Sequence, residues 1–501
     1  MRNLGLAIFL IAISLFDTLQ LVSQDSIWPI GIKNEFPIGA DTFGTEFLFF
    51  KERGTEHFFI KKFINFASCV SAISLDSKLI YFSNGIHIYN KDLDIMENGN
   101  DINPGQVQKD FSKEGYPSLN SFFSVLSPGK EKEEVDLIHM QQEYQGGKWK
   151  DCIGSFLYHT KIDIHANNGL GRVIFKNKII GRGPFKRGSL AACRHANGRD
   201  WWFAVNPCND SLQVYLLTPQ GPKIHHFDSL KYRLPEAEGQ GVFSPDGRFF
   251  AINTNNYPLN QSEIHLFDFD RCTGHFSNHR SWHYSDLPQD HTAGVAISAN
   301  SRFMYIISRL VIHQYDLWAP DIIQSDQVVA TYDGFVDLYG PTVFFTAQLA
   351  PNNKIYITGR TSLFKLTVIE NPDLPGLLCN VNQHSLSLLF QNNFSMPYFP
   401  YYRLGAEKNS SCDTLIVANK NNPFKQQLEV YPIPAHDKIY LKYDISDPII
   451  QIELLNLEGI TIHIQKDVAN REINISSLGP GVYFMKYKTR HNSGVQKILV
   501  N

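Results

Sequence analysis

The sequence predicts an all-β chain, a seven-bladed β-propeller followed by a small Ig-like β-sandwich, and three observations predict it. Aromatic residues make up 13% of the 501 positions, with 36 Phe and 22 Tyr, which suits pleated, half-buried surfaces. A turn motif recurs along the body at intervals of roughly 50 to 70 residues, a range that marks propeller blades rather than helical solenoids. Beyond residue 428 the motif stops, and short alternating strands follow one another closely.

The first element is a leader. Met1-Arg2-Asn3 precedes an apolar run over residues 4–16 that Asp17 ends, the pattern of a signal peptide spanning residues 1–23. The run is shorter than the about 20 apolar residues of a permanent membrane span, so no integral span is expected after cleavage.

The body occupies residues 24–420. Its motif places Asp or Asn with Gly, Ser or Asn, then Lys or Arg, then an apolar pair. Copies start at Asp76-Ser77-Lys78, Asn197-Gly198-Arg199, Asp246-Gly247-Arg248, Asn300-Ser301-Arg302 and Asn352-Asn353-Lys354, with a weaker one at Pro128-Gly129-Lys130. Such residues tolerate the positive φ of a tight turn, and the apolar pair opens the next strand. Alternation downstream, as in Ile264-His265-Leu266-Phe267-Asp268, gives strands with one buried face. The copies define six units between about residues 65 and 375. Residues 386–390 and 413–417, joined by the N-terminal strand, are expected to complete a seventh and so remove the exposed sheet edges.

A polar linker at 421–427 leads to the sandwich at 428–501. Gly and Pro turns separate strands such as 438–441, 450–456, 472–475 and 481–487, a module too small for an enzyme cleft.

Composition excludes some functions. Lys plus Arg number 46 against 49 Asp plus Glu, a net charge of -3, so no basic field for nucleic acid is present. Seven cysteines, Cys69, Cys152, Cys193, Cys208, Cys272, Cys379 and Cys412, show no CxxC pair or zinc spacing. Export permits disulfides, and Cys193 with Cys208 is a candidate pair to close a short hairpin; the odd count leaves at least one thiol free, and buried thiols packed as small hydrophobes are the alternative for most of them.

Two resemblances follow from these residues. Residues 194–202, 241–248 and 348–356 make the body similar to the secreted WD40-like propellers of the Bacteroidetes group, which implies a blade and not an activity. The tail resembles the type A C-terminal sorting domain of the type IX secretion system. That likeness rests on Tyr431, Pro432 and Pro434 near its start, on residues 455–459, on Gly481 and Tyr483 in the run 475–484, and on Lys497 in the terminal strand. Ile433 stands where the family usually has Asn. The resemblance implies a partner in the type IX machinery, export across the outer membrane, removal of the tail, and release or attachment at the cell surface.

Candidate chemistry is sparse. His159, Lys161, Asp163 and His165 alternate along one strand face, but the two histidines lie about 20 Å apart on an extended strand, too far to share an ion. His226 and Asp228 share a face at what reads as an ordinary strand end. Trp282, His283, Tyr284, Asp286 and His291 form the densest polar and aromatic cluster, a candidate ligand-binding loop for a glycan, peptide or protein. No GxSxG elbow, phosphate-binding loop or HExxH stands in the sequence, and no catalytic residue, metal or cofactor is expected. The sequence therefore predicts an exported binding scaffold. The alternative is a propeller hydrolase or lyase acting on polysaccharide or peptide, with its site in the central channel.

Overall fold

The computed structural model describes residues 24–501 apart from 32–44, 52–53, 61–63, 67–70, 146–147, 189, 232–233, 235–238, 257–260, 285–293, 338–339, 361–362, 393–394, 414–427, 444–447, 457–460, 467–469 and 490–492. The expected leader and linker lie outside the described residues. The chain forms two compact units, Met1–Leu415 and Ile416–Asn501.

Among the described residues of the first unit, seven antiparallel sheets of three or four strands follow one another along the chain, with a two-stranded ribbon, Val336–Asp337 and Gly340–Pro341, between the last two. Sheet 1 holds Ile27–Ile30, Thr45–Lys51 and Gly54–Ile60, and sheet 2 holds Ser71–Leu75, Lys78–Ser83 and Ile88–Asn90. Four strands make each of the rest: sheet 3 from Phe122–Leu126 to Arg172–Phe185, sheet 4 from Ala191–Arg194 to Gly221–Ser229, and sheet 5 from Gly239–Phe243 to Phe276–Tyr284. Sheet 6 runs from Gly294–Ile297 to Gln327–Thr331, and sheet 7 from Phe344–Leu349 to Val381–Asn392. In every sheet each strand pairs with the next in sequence, so each is a simple meander.

Burial fixes which strand lies inside. The first strands are largely small or apolar and buried, as in Gly294-Val295-Ala296-Ile297, and those of sheets 1 to 3 and of sheets 4 to 7 pack side by side. The last strands of sheets 4 and 5 are half-buried to exposed and carry mainly polar residues. A set of sheets packed through their first strands, with their last strands in solvent, is propeller-like.

The repeated motif sits at one place, the turn from first to second strand. Gly198, Gly247, Ser301 and Asn353 all take positive φ there, between 61° and 75°. The same pair of backbone bonds closes the turns: in sheet 5 Gly247 N–H donates to Ser244 O and Ser244 N–H to Phe249 O, and in sheet 6 Ser301 and Ser298 repeat it. Asp246 Oδ1 accepts from Arg248 N–H and Asn300 Oδ1 from Arg302 N–H, which is why Asp or Asn precedes the positive-φ residue.

The seventh sheet differs from expectation. Residues 386–390 belong to the last strand of sheet 7, and the additional sheet is sheet 1, built wholly from residues 27–60. The two meet through Glu46, which is fully buried: its Oε2 accepts from Leu389 N–H at 2.8 Å and Phe390 N–H at 3.3 Å, while His57 Nδ1 lies 2.5 Å from Oε1. Trp28, also fully buried, packs on Phe50 of sheet 1, Tyr356 of sheet 7 and Phe399 beyond it, at ring distances of 4.5, 5.7 and 6.1 Å.

The candidate Cys193–Cys208 bond does not form. Cys193 lies on an inner strand with its sulfur toward Gly247 of the next sheet, and burial pushes its thiol up to about 12. The disulfide among the described residues is Cys272–Cys412, which ties a turn of sheet 5 to a segment 140 residues later.

The second unit holds two sheets. Glu429–Tyr431, Lys438–Lys442 and Glu472–Asn474 form one; Thr461–Lys466, Ile449–Leu455, Gly481–Thr489 and Ser493–Val500 form the other. Its core takes alternate residues of both, including Ile439, Leu441, Ile452, Leu454, Met485 and Ile498, as a β-sandwich requires. Tyr431 is half exposed and packs on Tyr440, Gly481 pairs with Val500, and Lys497 pairs with Phe484. Tyr483 OH donates to Gly479 O at 2.8 Å.

Candidate functional site

Two places in the first unit gather chemistry. One is a cavity where the first strands of sheets 5, 6 and 7 end, lined by Phe243, Ile297, Gln348, Phe399, Tyr401 and the pair Asp25 and Arg403. Its walls are mostly apolar. Gln348 anchors the crossing segment, accepting from Phe399 N–H and donating to Phe399 O, both at 3.4 Å. Arg403 Nη1 lies 3.0 Å from each oxygen of Asp25, whose side chain is 2% exposed, and the guanidinium stands over the Tyr401 ring at 4.5 Å. Nε and Nη2 of Arg403 are buried without a hydrogen-bond partner. Apolar walls with a few convergent polar groups are the usual chemistry of a small-molecule site, here around about 20 Å³ of space.

The other place lies where the outer strand of sheet 4 meets the last turn of sheet 5. Gly221–Ser229 carries a β-bulge: Val214 pairs with His226 and Tyr215 with Ile224, so His225 is the extra residue. The bulge brings His225 Nδ1 within 2.8 Å of His226 Nδ1, with Trp202 edge-on to His225 at 5.0 Å. Two residues on, Asp228 faces the same way. From the next sheet comes His275, whose Nδ1 lies 2.8 Å from Asp228 Oδ1; Phe276 N–H donates to Asp228 Oδ2 at 2.8 Å. His226 Nε2 lies 3.2 Å from Asp228 Oδ2. Burial holds His226 below its ordinary range, against the opposing pull of Asp228. Sequence reading paired His226 with Asp228 but missed His275, which stands 47 positions from Asp228 and is brought there only by the fold.

The expected binding loop divides. Trp282, His283 and Tyr284 end the outer strand of sheet 5; Asp286 and His291 lie outside the described residues. Trp282 packs on Tyr315 at 5.4 Å, and Tyr284 OH donates to Asn253 Oδ1 at 3.0 Å, so both brace neighbouring strands. His283 is exposed, 3.6 Å from Glu263.

The strand with alternating His159, Lys161, Asp163 and His165 spends these side chains separately. His159 Nε2 lies 2.6 Å from buried Asp136, and Lys161 Nζ 3.0 Å from Glu134. Asp163 Oδ1 accepts from the backbone N–H of His165 and Ala166, and His165 Nε2 lies 2.6 Å from Lys132 O.

Comparison with known proteins bears on both units. Residues 429–501 match the family of secretion system C-terminal sorting domains. The second unit is thus a type IX sorting signal whose partner is the secretion machinery, and the protein is exported across the outer membrane to the cell surface or the medium. No helix among the described residues is long and apolar enough to cross a membrane. Beta-agarase D of Zobellia galactanivorans is 26% identical over 128 residues, covering 24% of this chain and 26% of that protein, so the match spans about a quarter of the relative's length. Among solved structures, the chain is similar to a protein from Lactobacillus plantarum (13% identity, TM-score 0.42, 74% of this chain and 99% of that one). It is also similar to the periplasmic gluconolactonase of Pseudomonas aeruginosa (12% identity, TM-score 0.43, 73% and 97%). A gluconolactonase from Xanthomonas campestris gives 14% identity and a TM-score of 0.31 over 68% and 94%. The expectation of an exported binding scaffold is corrected here: a relative is named as an agarase, which favours the alternative of a hydrolase over that reading.

Proposed function

We propose that the exported body is a hydrolase acting on a carbohydrate substrate, with its reacting centre in the cavity that holds Asp25 and Arg403. The observation that carries this reading is the free edge of Arg403: Nη1 engages Asp25, while buried Nε and Nη2 have no hydrogen-bond partner. Two parallel N–H donors in an apolar cavity suit an oxygen that gains negative charge during reaction. Asp25 supplies a carboxylate next to that edge, able to take a proton from an attacking water and return it to the departing alkoxide. Glycoside cleavage ordinarily uses two carboxyl groups, and Asp25 is the one acidic residue among those lining the cavity. The arrangement therefore favours an ester or lactone of a sugar, at whose acyl carbon water adds and the C–O bond breaks.

The same reading takes the seven sheets as seven blades in a closed ring, supported by the Glu46 contact between sheets 1 and 7. The recurrent first turn supports kinship with WD40-like propellers of the Bacteroidetes, and the mature body is taken as residues 24–420.

The test is turnover by the purified body of a panel of sugar lactones, acetylated oligosaccharides and agar. Asp25→Asn is expected to lower turnover about 10²–10⁴-fold at a temperature where the variant, less stable through loss of its ion pair, is still folded. Full activity in that variant, or no turnover of any panel member by the parent, would overturn the reading.

A further inference from the structure

The cluster on the outer edge of sheets 4 and 5 plays no part in the chemistry proposed for the cavity, and its donor atoms converge. One ligand atom from each of His226, Asp228 and His275 lies within 4.8 Å of the other two. A tetrahedral ion bound at 2.0–2.1 Å needs ligand atoms about 3.3 Å apart. The observed separations of 2.8 Å and 3.2 Å from Asp228 to the two imidazoles both lie below that value, so a small outward shift of the His275 ring completes the spacing.

We propose that His226, Asp228 and His275 bind a first-row divalent transition metal, with Zn2+ the ion of choice, and that this ion clips sheet 4 to sheet 5. Two imidazoles and one carboxylate are a borderline donor set that suits such ions and disfavours Mg2+ or Ca2+, which take all-oxygen shells.

The protons can be placed. Without an ion, Nε2–H of His226 and Nδ1–H of His275 donate to Asp228, and His226 Nδ1 accepts from His225 Nδ1–H. With an ion, both neutral rings switch tautomer: His226 Nδ1–H donates to His225, whose own proton moves to Nε2, and His275 carries its proton on Nε2 at the surface. The lone pairs of His226 Nε2 and His275 Nδ1 then face the metal, and no net proton is released. His225 is in this way a positioning residue that fixes the ring of His226.

Two features hold the ligands in place. The bulge fixes His225 against Trp202. The turn that delivers His275 is bound by Cys272–Cys412, by Arg271 donating to Arg194 O at 3.0 Å and His195 O at 3.3 Å, and by Gly274, where an added Cβ would meet the Trp202 ring at 2.8 Å. His275 is 57% exposed, which leaves a path for the ion and room for a water as fourth ligand.

The test is titration of the metal-stripped, full-length protein with Zn2+, followed by calorimetry and by melting temperature. One ion per chain is expected, with a raised melting temperature. His275→Ala, at an exposed position, should abolish that binding, and His225→Ala should weaken it about 10–100-fold. Co2+ in the same position should show the visible absorption of a four-coordinate site, lost in His275→Ala. Zn2+ binding that His275→Ala leaves unchanged, or no binding tighter than about 100 μM by the parent, would overturn the proposal.

Discussion

Asp25, two residues ahead of the first strand, and Arg403, 378 positions later, form a paired contact in which one guanidinium nitrogen lies 3.0 Å from both carboxylate oxygens. The pair joins the start of the first unit to its end across the cavity proposed as the reacting centre. Truncating Arg403 to Ala leaves Asp25 buried without its cation, and a loss of about 3–5 kcal/mol is expected in urea unfolding. The double variant Asp25→Asn, Arg403→Met should recover most of that loss, because no charge then remains buried. Equal stability of the parent and Arg403→Ala would show that the pair is solvated.

The disulfide Cys272–Cys412 closes a loop with a sequence separation of 140. Replacing both cysteines with Ser is expected to lower stability by about 2–4 kcal/mol through the freer unfolded chain. Reductant should lower the melting temperature of the parent and leave the double Ser variant unchanged.

Acid should weaken the first unit through His139. Its ring is fully buried, with Nδ1 2.6 Å from Asn103 Oδ1 and Nε2 2.7 Å from Thr160 Oγ1, and burial, aided by His159, holds it down to about 3. The native state thus binds fewer protons than the unfolded chain between about pH 6.5 and pH 3. Its contribution is complete above pH 6.5 and is lost as pH falls toward 3, at up to about 1.4 kcal/mol per pH unit. His139→Gln should be less stable at pH 7, with a shallower fall in melting temperature between pH 6.5 and 4.

Export depends on the second unit. A chain ending before residue 428 is expected to accumulate in the periplasm of a host with a type IX system, while the full chain reaches the surface or medium. Intact mass of the exported form should correspond to residues 24–420, give or take the linker. Retention of residues 428–501 in every exported form would show that the tail works as a permanent domain.

The turns were legible because positive φ narrows the choice of residue to Gly, Asn, Asp and Ser, and that narrowing repeats in Gly198, Gly247, Ser301 and Asn353. Sheet 1 carries no such signal; the sequence points instead to residues 386–390 and 413–417 with the N-terminal strand, of which 386–390 pair within sheet 7 and 414–417 lie outside the described residues. Asp25 and Arg403 could not be matched from sequence, since no local pattern links positions so far apart. The same holds for His275, which reads as one more polar residue of a turn until the neighbouring sheet sets Asp228 against it. Cys272 and Cys412 had no spacing to mark them, whereas Cys193 and Cys208 looked close only because proximity in sequence ignores which way a strand faces.

The contact between Glu46 and Leu389 has a consequence for how the molecule comes into being. Its two halves are made 343 residues apart, so the growing chain must carry sheet 1 with an unpartnered flank until sheet 7 emerges. Contacts of such separation form late and slowly, and the waiting edge is open to pairing with other chains. A chain cut short anywhere between them keeps two sticky flanks, so C-terminal truncations inside the first unit should yield aggregates rather than smaller soluble proteins.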